Sequence, residues 1–312
     1  MATLYVDDQG ASIRIRGQEV VVKKGEETLR TCPLHWLERV VLAGNVQLST
    51  QAISLFLKEG IPISFITVHG NYRGRLLPGT HKHTALRLAQ YERYRDPDFR
   101  LRQGKSLIEA KVRNSRTMLQ KHHRSHPDFD CKAELAAMKG ELEKVGMSES
   151  LAGLMGLEGT AAKIYFSAFG RMVRREFSFE HRSHRPPKDP VNALLSLGYT
   201  LLCNEMVTAV ESIGFDPYLG YLHEIEYGRA SLAVDLMEEF RWIIDGLALS
   251  LINRGEIGAG DFQESNENGI MLTDHGRKLF YSRYEERMND EVLHRDKHES
   301  YRRVFLLQAE HF

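Results

Sequence analysis

The segment that most constrains this chain runs from Pro217 to Arg241 and reads PYLGYLHEIEYGRASLAVDLMEEFR. Pro217 and Gly220 indicate a turn, and Ser231 is a good N-cap for a helix that begins near Leu232. A histidine therefore ends a turn, and acidic residues follow it at helical spacing.

The predicted helix is amphipathic, and its polar face is acidic. Asp235, Glu238 and Glu239 fall opposite an apolar arc of roughly 120°. The apolar arc contains Leu232, Leu236, Phe240, Ile243, Leu247 and Leu251. One interpretation is a solvated charged face. The other is a cation site shared with His223, because imidazole and carboxylate ligands suit a divalent ion such as Mn²⁺ or Mg²⁺.

A second segment, GLEGTAAKIYFSAFG from Gly156 to Gly170, favours the cation site. At these points the chain resembles the CRISPR-associated Cas-one family, the endonuclease and integrase of spacer acquisition. The resemblance depends on Glu158 in EGTAAKIYF, His223 in GYLHEIEYGRASL and Glu238 in DLMEEFR. Three motifs in this order and separation are far more specific than one, and a weaker likeness extends over the whole chain.

The resemblance implies a site and a set of partners. Glu158, His223 and Glu238 would bind Mg²⁺ or Mn²⁺ and would cut or join double-stranded DNA, with Asp235 as a nearby auxiliary catalytic acid. The family also implies a homodimer, formed through the N-terminal region, that flanks a small Cas-two partner protein.

Composition indicates an ordinary soluble chain of two domains. With 312 residues, of which 42% are hydrophobic, there is enough apolar material for two cores. No apolar run approaches the roughly 20 residues of a membrane span, and the start lacks a signal sequence, so we expect no membrane association and a cytoplasmic location. The three cysteines, Cys32, Cys131 and Cys203, form no CxxC pair and are expected to be reduced thiols.

The formal net charge is zero, but the charges are unevenly distributed. Residues 86–124 hold eleven Lys or Arg against four acids, and residues 163–188 hold seven against two. Residues 205–245 hold nine acids and two basic residues. This separation suits a metal site bordered by a phosphate-binding surface, to which we assign Lys163, Arg171, Arg174 and Arg175. The alternative is that these basic residues pair with local acids such as Glu176 and Glu180.

The order of the patterns predicts an α+β protein, with a small N-terminal β-rich domain before a larger all-helical catalytic domain. The predicted domains are residues 1–76 and 85–312, joined by a linker at 77–84. Leu4 to Val6, Ser12 to Arg16 and Glu19 to Lys23 are expected to form a meander, and the pattern continues on both sides of a Gly44-Asn45 turn.

In the helical part, Glu158 is expected to begin a new helix after Gly156. A mostly apolar helix from Val191 to Ile213 is expected to lie beneath the site, with Asn192 and Tyr199 as candidate lining residues. The final residues, from Asp290 to Phe312, are expected to be helical.

Several familiar enzyme classes are excluded by single positions. A phosphate-binding loop ending at Gly104-Lys105-Ser106 would need Gly where Phe99 stands, and Tyr227 replaces the second His of a zinc-protease motif that begins at His223. Two alternatives to the nuclease remain open: a catalytically silent nucleic-acid scaffold with a solvated acidic helix, and a metallohydrolase of small phosphoesters.

Overall fold

The computed structural model describes residues 2–68, 72–77, 83–183, 186–265 and 268–312. The chain forms two compact units. The first consists of Met1–Thr80 with Leu272–Met288, and the second of His81–Met271 with Asn289–Phe312. The predicted fold class is confirmed, because a β-rich N-terminal region precedes a mostly helical one. Most of the predicted linker, at 78–82, lies outside the described residues.

The strands of the N-terminal region form two sheets around one helix. Their bounds are β1 (Ala2–Val6), β2 (Ser12–Arg16), β3 (Glu19–Lys24), β4 (Glu27–Pro33), β5 (Leu37–Ala43), β6 (Gln47–Leu48), β7 (Ile63–Ile66) and β8 (Tyr72–Leu76), with helix α1 at Thr50–Lys58. One sheet has the order β1-β5-β7-β8 and the other β4-β3-β2-β6.

Long helices dominate the remainder of the chain. Their bounds are α2 (Thr84–Tyr94), α3 (Pro97–Ser125), α4 (Lys132–Met147), α5 (Leu151–Met172), α6 (Pro190–Ile213), α7 (Ser231–Met237), α8 (Arg241–Arg254), α9 (Asp274–Asn289) and α10 (Tyr301–His311). Short strands pair as β9 (Phe262–Glu264) with β10 (Ile270–Leu272) and as β11 (Glu291–His294) with β12 (Lys297–Ser300). The expectation that residues 290–312 are helical is therefore wrong before Tyr301, because the positive-φ residues Arg295 and Asp296 turn the chain into a hairpin.

The predicted meander is only partly present. Strands β2, β3 and β4 are antiparallel neighbours, but β1 pairs in parallel with β5, so that Leu4 lies opposite Val40. Gly44, at φ +79°, does not close a hairpin, since β5 and β6 belong to different sheets. Alternation of apolar residues predicts that a strand has a buried face, but it does not say which strand is its neighbour.

The two sheets and α1 enclose one apolar core in the N-terminal region. Ile13, Leu42, Phe56 and Ile63 are among its fully buried residues. Ser49 caps the start of α1, because its hydroxyl accepts a hydrogen bond from the Ala52 amide at 3.2 Å. The cap and the buried face together fix the start and the orientation of this helix.

Helix α9 packs with the N-terminal strands, whereas the sequence pattern had placed it in the helical domain. The Tyr5 ring stacks on Tyr281 with centroids 4.5 Å apart, and the Tyr5 hydroxyl donates to Glu285 at 2.9 Å. Lys278 also pairs with Asp8 at 2.9 Å. A helical pattern reports that one face is apolar, but not which core that face joins.

Helix α5 is continuous through Gly156 and Gly159, so Glu158 lies inside a helix and not at its start. A glycine inside a helix costs about 1 kcal/mol. That cost is offset by a continuous buried face. The face contains Leu154, Ala161, Tyr165, Ala168, Phe169 and Met172. The helix begins at a Ser150 cap, whose hydroxyl accepts from Gly153 N at 3.1 Å.

Among the described residues, α6 is long and apolar enough to cross a membrane, contrary to the expectation that no apolar run has this length. Within its apolar 18-residue window, however, 72% of the residues are buried inside the protein. The apolar surface of α6 is therefore used for packing in the helical unit, as the predicted core helix requires.

Candidate active site

A buried carboxylate on α7 organises the turn that carries His223. Asp235, which is 0% exposed, accepts hydrogen bonds from the amides of Tyr221 at 2.6 Å, Leu222 at 2.9 Å and His223 at 3.0 Å. The Nδ1 atom of the His223 ring also lies 2.6 Å from Asp235 Oδ1. Because a carboxylate only accepts, Nδ1 is the donor to Asp235, and in the neutral ring this leaves the lone pair of Nε2 for an external ligand.

The turn can approach Asp235 this closely only because residue 220 is glycine. A Cβ atom on Gly220 would lie 2.7 Å from Asp235 Oδ2 and 2.7 Å from the carbonyl carbon of Ser231. Both neighbours are held in place, one by the hydrogen bonds above and the other by the backbone of α7. Any larger residue would push the turn away from the carboxylate.

Glu158 and Glu238 converge on a single ammonium group. Lys111, on α3, contacts Glu158 on α5 and also donates to Glu238 Oε2 at 2.5 Å. Glu238 begins the 3₁₀ turn that links α7 to α8. The exposed fractions of the side chains are 17% for Lys111, 20% for Glu158 and 5% for Glu238. The two carboxylates are therefore already arranged around one cation.

Arg241 holds the other side of Glu238. Its Nε donates to Glu238 Oε2 at 2.9 Å, and its NH2 group donates to Oε1 at 2.7 Å. Burial by itself would raise the pKa of Glu238, but the charges of Arg241 and Lys111 more than offset it and hold this pKa well below its usual range. Glu238 is therefore ionised throughout the neutral pH range.

A second buried acid, Asp245, lies in the same site. It accepts hydrogen bonds from the hydroxyls of Tyr165 at 2.8 Å and Tyr199 at 2.5 Å. Burial raises the pKa of Asp245 to about 6, against the opposing effect of these hydrogen bonds. The guanidinium groups of Arg182 and Arg241 lie 5.3 Å and 4.6 Å from the Tyr199 ring centroid. Hydrogen bonds and cation–π contacts thus link the residues on this side of the site.

The side chains line a cavity of about 660 Å³ in the helical unit. The lining includes the sequence-predicted Glu158, His223, Glu238, Lys163 and Tyr199. Asp235 is not among the lining residues that the structure describes, because it lies behind His223. The cavity thus brings the three predicted ligands together with basic groups that could contact a phosphate.

The arginine cluster lies at and just beyond the C-terminal end of α5. Arg171 is 13 residues from Glu158, or ~20 Å along the helix axis. It pairs with Glu134 at 2.5 Å, and Arg175 Nε donates to the Asn253 carbonyl at 3.3 Å. The ion pair of Arg171 is therefore with Glu134, and not with the nearby Glu176 or Glu180 that the sequence suggested. Half of the Arg171 side chain, 50%, stays exposed to solvent.

The residues present fit a divalent cation. Among the described residues, no group of three His, Cys, Asp or Glu side chains is already close enough to hold a metal ion. Two carboxylates nevertheless meet at one cation, and His223 lines the same cavity with Nε2 left for a ligand. Oxygen ligands with one imidazole match the preferences of Mg²⁺ and Mn²⁺.

Comparison with known proteins agrees with this arrangement of residues. A family model described as CRISPR associated protein Cas1 matches residues 4–286. The chain belongs to the Cas1 family of CRISPR-associated endonucleases. It is 39% identical over 304 residues to CRISPR-associated endonuclease Cas1 2 of Rhodospirillum rubrum, with 94% of this chain and 88% of that protein covered.

Other similar proteins place the Cas1 fold in larger assemblies. A Cas4/Cas1 fusion of Geobacter sulfurreducens is 37% identical over 318 residues, and this chain, 98% covered, spans 56% of its length. A casposase bound to its integration product has a TM-score of 0.88 at 25% identity, with 98% of this chain and 88% of that chain covered. A Cas6-RT-Cas1–Cas2 complex has a TM-score of 0.83 at 26% identity, with 99% of this chain and 34% of that chain covered.

The motifs that carry the Cas1 resemblance did not include several residues of the site. Lys111 is one of eleven basic residues between positions 86 and 124, and its distance along the chain from Glu158 and Glu238 gives no hint that the three meet. Asp245 and Arg182 likewise lie outside the motifs. Tyr165 lies inside EGTAAKIYF and Arg241 ends DLMEEFR, but neither was assigned a role, although Arg241 follows Glu238 by three residues on a helical segment.

Glu239 is an exception to the pairing of buried acids. Its Oε1 atom is buried and has no hydrogen-bond partner among the described residues. Burial raises the pKa of Glu239 to about 7, although a hydrogen bond with Gln308 opposes the shift. The folded state therefore binds a proton that the unfolded chain releases near pH 4.5.

We expect Glu239→Gln to stabilise the helical unit at pH 8 by about 1–3 kcal/mol and to have little effect at pH 4.5. The wild type should lose stability as the pH rises from 4.5 through 7, because ionising the buried group becomes unfavourable, and the variant should lack this loss. The free energy of unfolding at each pH is measured by urea denaturation, with the fluorescence of Trp242 as the signal in a Trp36→Phe background. Glu149→Gln, at an exposed position, is the control, and an equal pH dependence in both variants would contradict the assignment.

Proposed function

We propose that this Cas1-family chain is a divalent-metal-dependent DNA endonuclease and integrase that inserts foreign DNA into a CRISPR array. The observation that carries the proposal is the convergence of Glu158 and Glu238 on one cation in a cavity that His223 also lines. Phosphodiester hydrolysis and strand joining both need a concentrated positive charge beside the attacked phosphate.

Glu158, Glu238 and Nε2 of His223 would hold Mg²⁺ or Mn²⁺. When bound, the ion would supply charge stabilisation at the attacked phosphate and would favour deprotonation of the attacking hydroxyl or water. Asp235 keeps the His223 ring in the tautomer that leaves Nε2 unprotonated, and Arg241 keeps Glu238 ionised and oriented. In joining, a DNA 3′-hydroxyl oxygen forms the new bond to phosphorus, and the 3′-oxygen of the target strand leaves.

Lys163 and Arg182 are suited to contact the DNA backbone near the reacting phosphate, because both line the cavity. The half-exposed Arg171, ~20 Å from Glu158 along α5, would extend this contact together with Arg174 and Arg175, which follow the end of that helix. Double-stranded DNA is therefore the proposed substrate. The similar casposase was solved with an integration product, which supports this choice.

The scaffold alternative depended on a solvated acidic helix. Asp235 is 0% and Glu238 is 5% exposed, so these acids are not a solvated face. The phosphoesterase alternative fits a cavity of this size, but it gives no role to the basic residues beyond the cavity. Cleavage of a model phosphate ester without DNA cleavage would favour it.

Replacement of any ligand should abolish metal-dependent cleavage and joining of DNA. We expect Glu158→Gln, His223→Ala and Glu238→Gln to fall to the background level, because losing one of three ligands removes the ion. Asp235→Asn should do less harm, a loss of about 10- to 100-fold, since it orients a ligand without binding the ion. Gel assays of labelled duplexes with and without Mn²⁺ measure this.

The exposed Glu149→Gln variant is the matched control and should keep full activity. Circular dichroism would verify that each variant is folded. Wild-type turnover in a folded ligand variant, with unchanged metal dependence, would refute the ligand assignment.

The arginine cluster should contribute to DNA binding without reading sequence. We expect replacement of Arg171, Arg174 and Arg175 by Ala to weaken binding of unrelated duplexes to a similar extent. The slope of log affinity against log salt should fall by up to about 3, because each phosphate contact releases condensed counterions. Binding isotherms across a salt series give the slope.

A control with the same change in net charge replaces the exposed Arg14, Lys24 and Lys58 of the N-terminal unit by Ala. Its slope should stay within error of the wild type. If the two triple variants behave alike, the DNA surface lies elsewhere.

We further propose that the N-terminal β-rich region is an assembly surface that forms a homodimer and contacts a small Cas2-type partner in the cytoplasm. A Cas1–Cas2 assembly among the similar structures supports this proposal. Light scattering at micromolar concentration should give about twice the chain mass of 35.8 kDa. A species of 35.8 kDa alone would contradict the dimer.

A further inference from the structure

Lys111 occupies the position at which the proposed metal ligands meet. Its ammonium group contacts carboxylates from two different elements, Glu158 of α5 and Glu238 of the 3₁₀ turn. The Lys111 side chain is only 17% exposed. The lysine is therefore part of the interior of the site and not a surface group that folds over it.

The second cation of the site, Arg241, cannot leave as easily. It is bound to both oxygens of Glu238, and its guanidinium lies 4.6 Å from the Tyr199 ring centroid. Lys111 instead reaches the carboxylates through a flexible four-carbon chain that ends in a compact point charge. Of these two cations, Lys111 is the one whose charge can move without breaking a bidentate pair.

A divalent ion bound by both Glu158 and Glu238 would lie where the Lys111 ammonium group now contacts their oxygens. An ammonium group and a dication cannot both lie at contact distance from Glu158 and Glu238, because their repulsion is strong in a partly buried site. We propose that Lys111 is an internal counterion that holds the two carboxylates together in the metal-free protein and competes with the divalent ion for them. The proposal rests on the proposed function in taking these glutamates as metal ligands.

The test is binding of Mn²⁺ to the full chain without DNA, measured by calorimetry and by electron paramagnetic resonance. We expect Lys111→Met to bind Mn²⁺ at least about tenfold more tightly than wild type, because a competing charge is lost. Without metal this variant should melt at a lower temperature, and Mn²⁺ should raise its Tm by more than it raises that of wild type. Lys111→Arg, which keeps the charge, should bind like wild type.

Lys139→Met is the matched control. It breaks another Lys–Glu pair, with Glu143 at 3.9 Å, but both of those side chains are 66% exposed. Its Mn²⁺ affinity should equal that of wild type. If Lys111→Met does not fold without metal, Lys111→Gln, which is also uncharged but can still donate a hydrogen bond, provides the same comparison.

Equal or weaker Mn²⁺ binding by a folded, uncharged variant at position 111 would overturn the proposal. Glu158→Gln separates this failure from failure of the proposed function. If wild type binds Mn²⁺ and Glu158→Gln does not, the ligand assignment stands whatever the lysine does. If neither wild type nor Lys111→Met binds Mn²⁺, both proposals fall.

Discussion

The candidate site depends on the buried carboxylate of Asp235. Three consecutive amides and the His223 ring donate to it, and the close approach of the turn requires Gly220. An ionised carboxylate without donors would be very unfavourable in this interior position. The turn and α7 therefore stabilise each other, and the orientation of His223 follows from the need to satisfy one buried charge.

The same requirement explains the pairing around Glu238 and Asp245. Glu238 is ionised because Arg241 and Lys111 supply positive charge, whereas Asp245 is stabilised mainly by the hydroxyls of Tyr165 and Tyr199. Buried ion pairs of this kind are weak evidence for stability, since desolvation offsets much of their attraction. We interpret them as a way to hold charged groups in a fixed geometry, which phosphoryl chemistry requires.

Residues that are far apart in the chain build this geometry. Lys111 and Glu238 are separated by 127 positions, and Tyr165 and Asp245 by 80. Helices α3 and α5 bring Lys111 and Glu158 to one end of the site, and the segment from α7 to α8 supplies the remaining charges. A cavity lined by both carboxylates and basic side chains is suited to a cation and a phosphate together. The proposed cleavage and joining of DNA need both.

Resemblance of local motifs predicted Glu158, His223 and Glu238 as one set, and in the structure all three line one cavity. The sequence also predicted the fold class and the buried helix from Val191 to Ile213, since apolar periodicity acts over a few positions. Only the tertiary structure decided that β1 pairs with β5, that α9 joins the N-terminal core, and that Lys111 lies between the two glutamates. It also decided that Asp235 of α7 and Glu238 of the following 3₁₀ turn are buried and not solvated. Strand pairing, burial and electrostatic attraction depend on distances in space, and a pattern along the chain does not contain those distances.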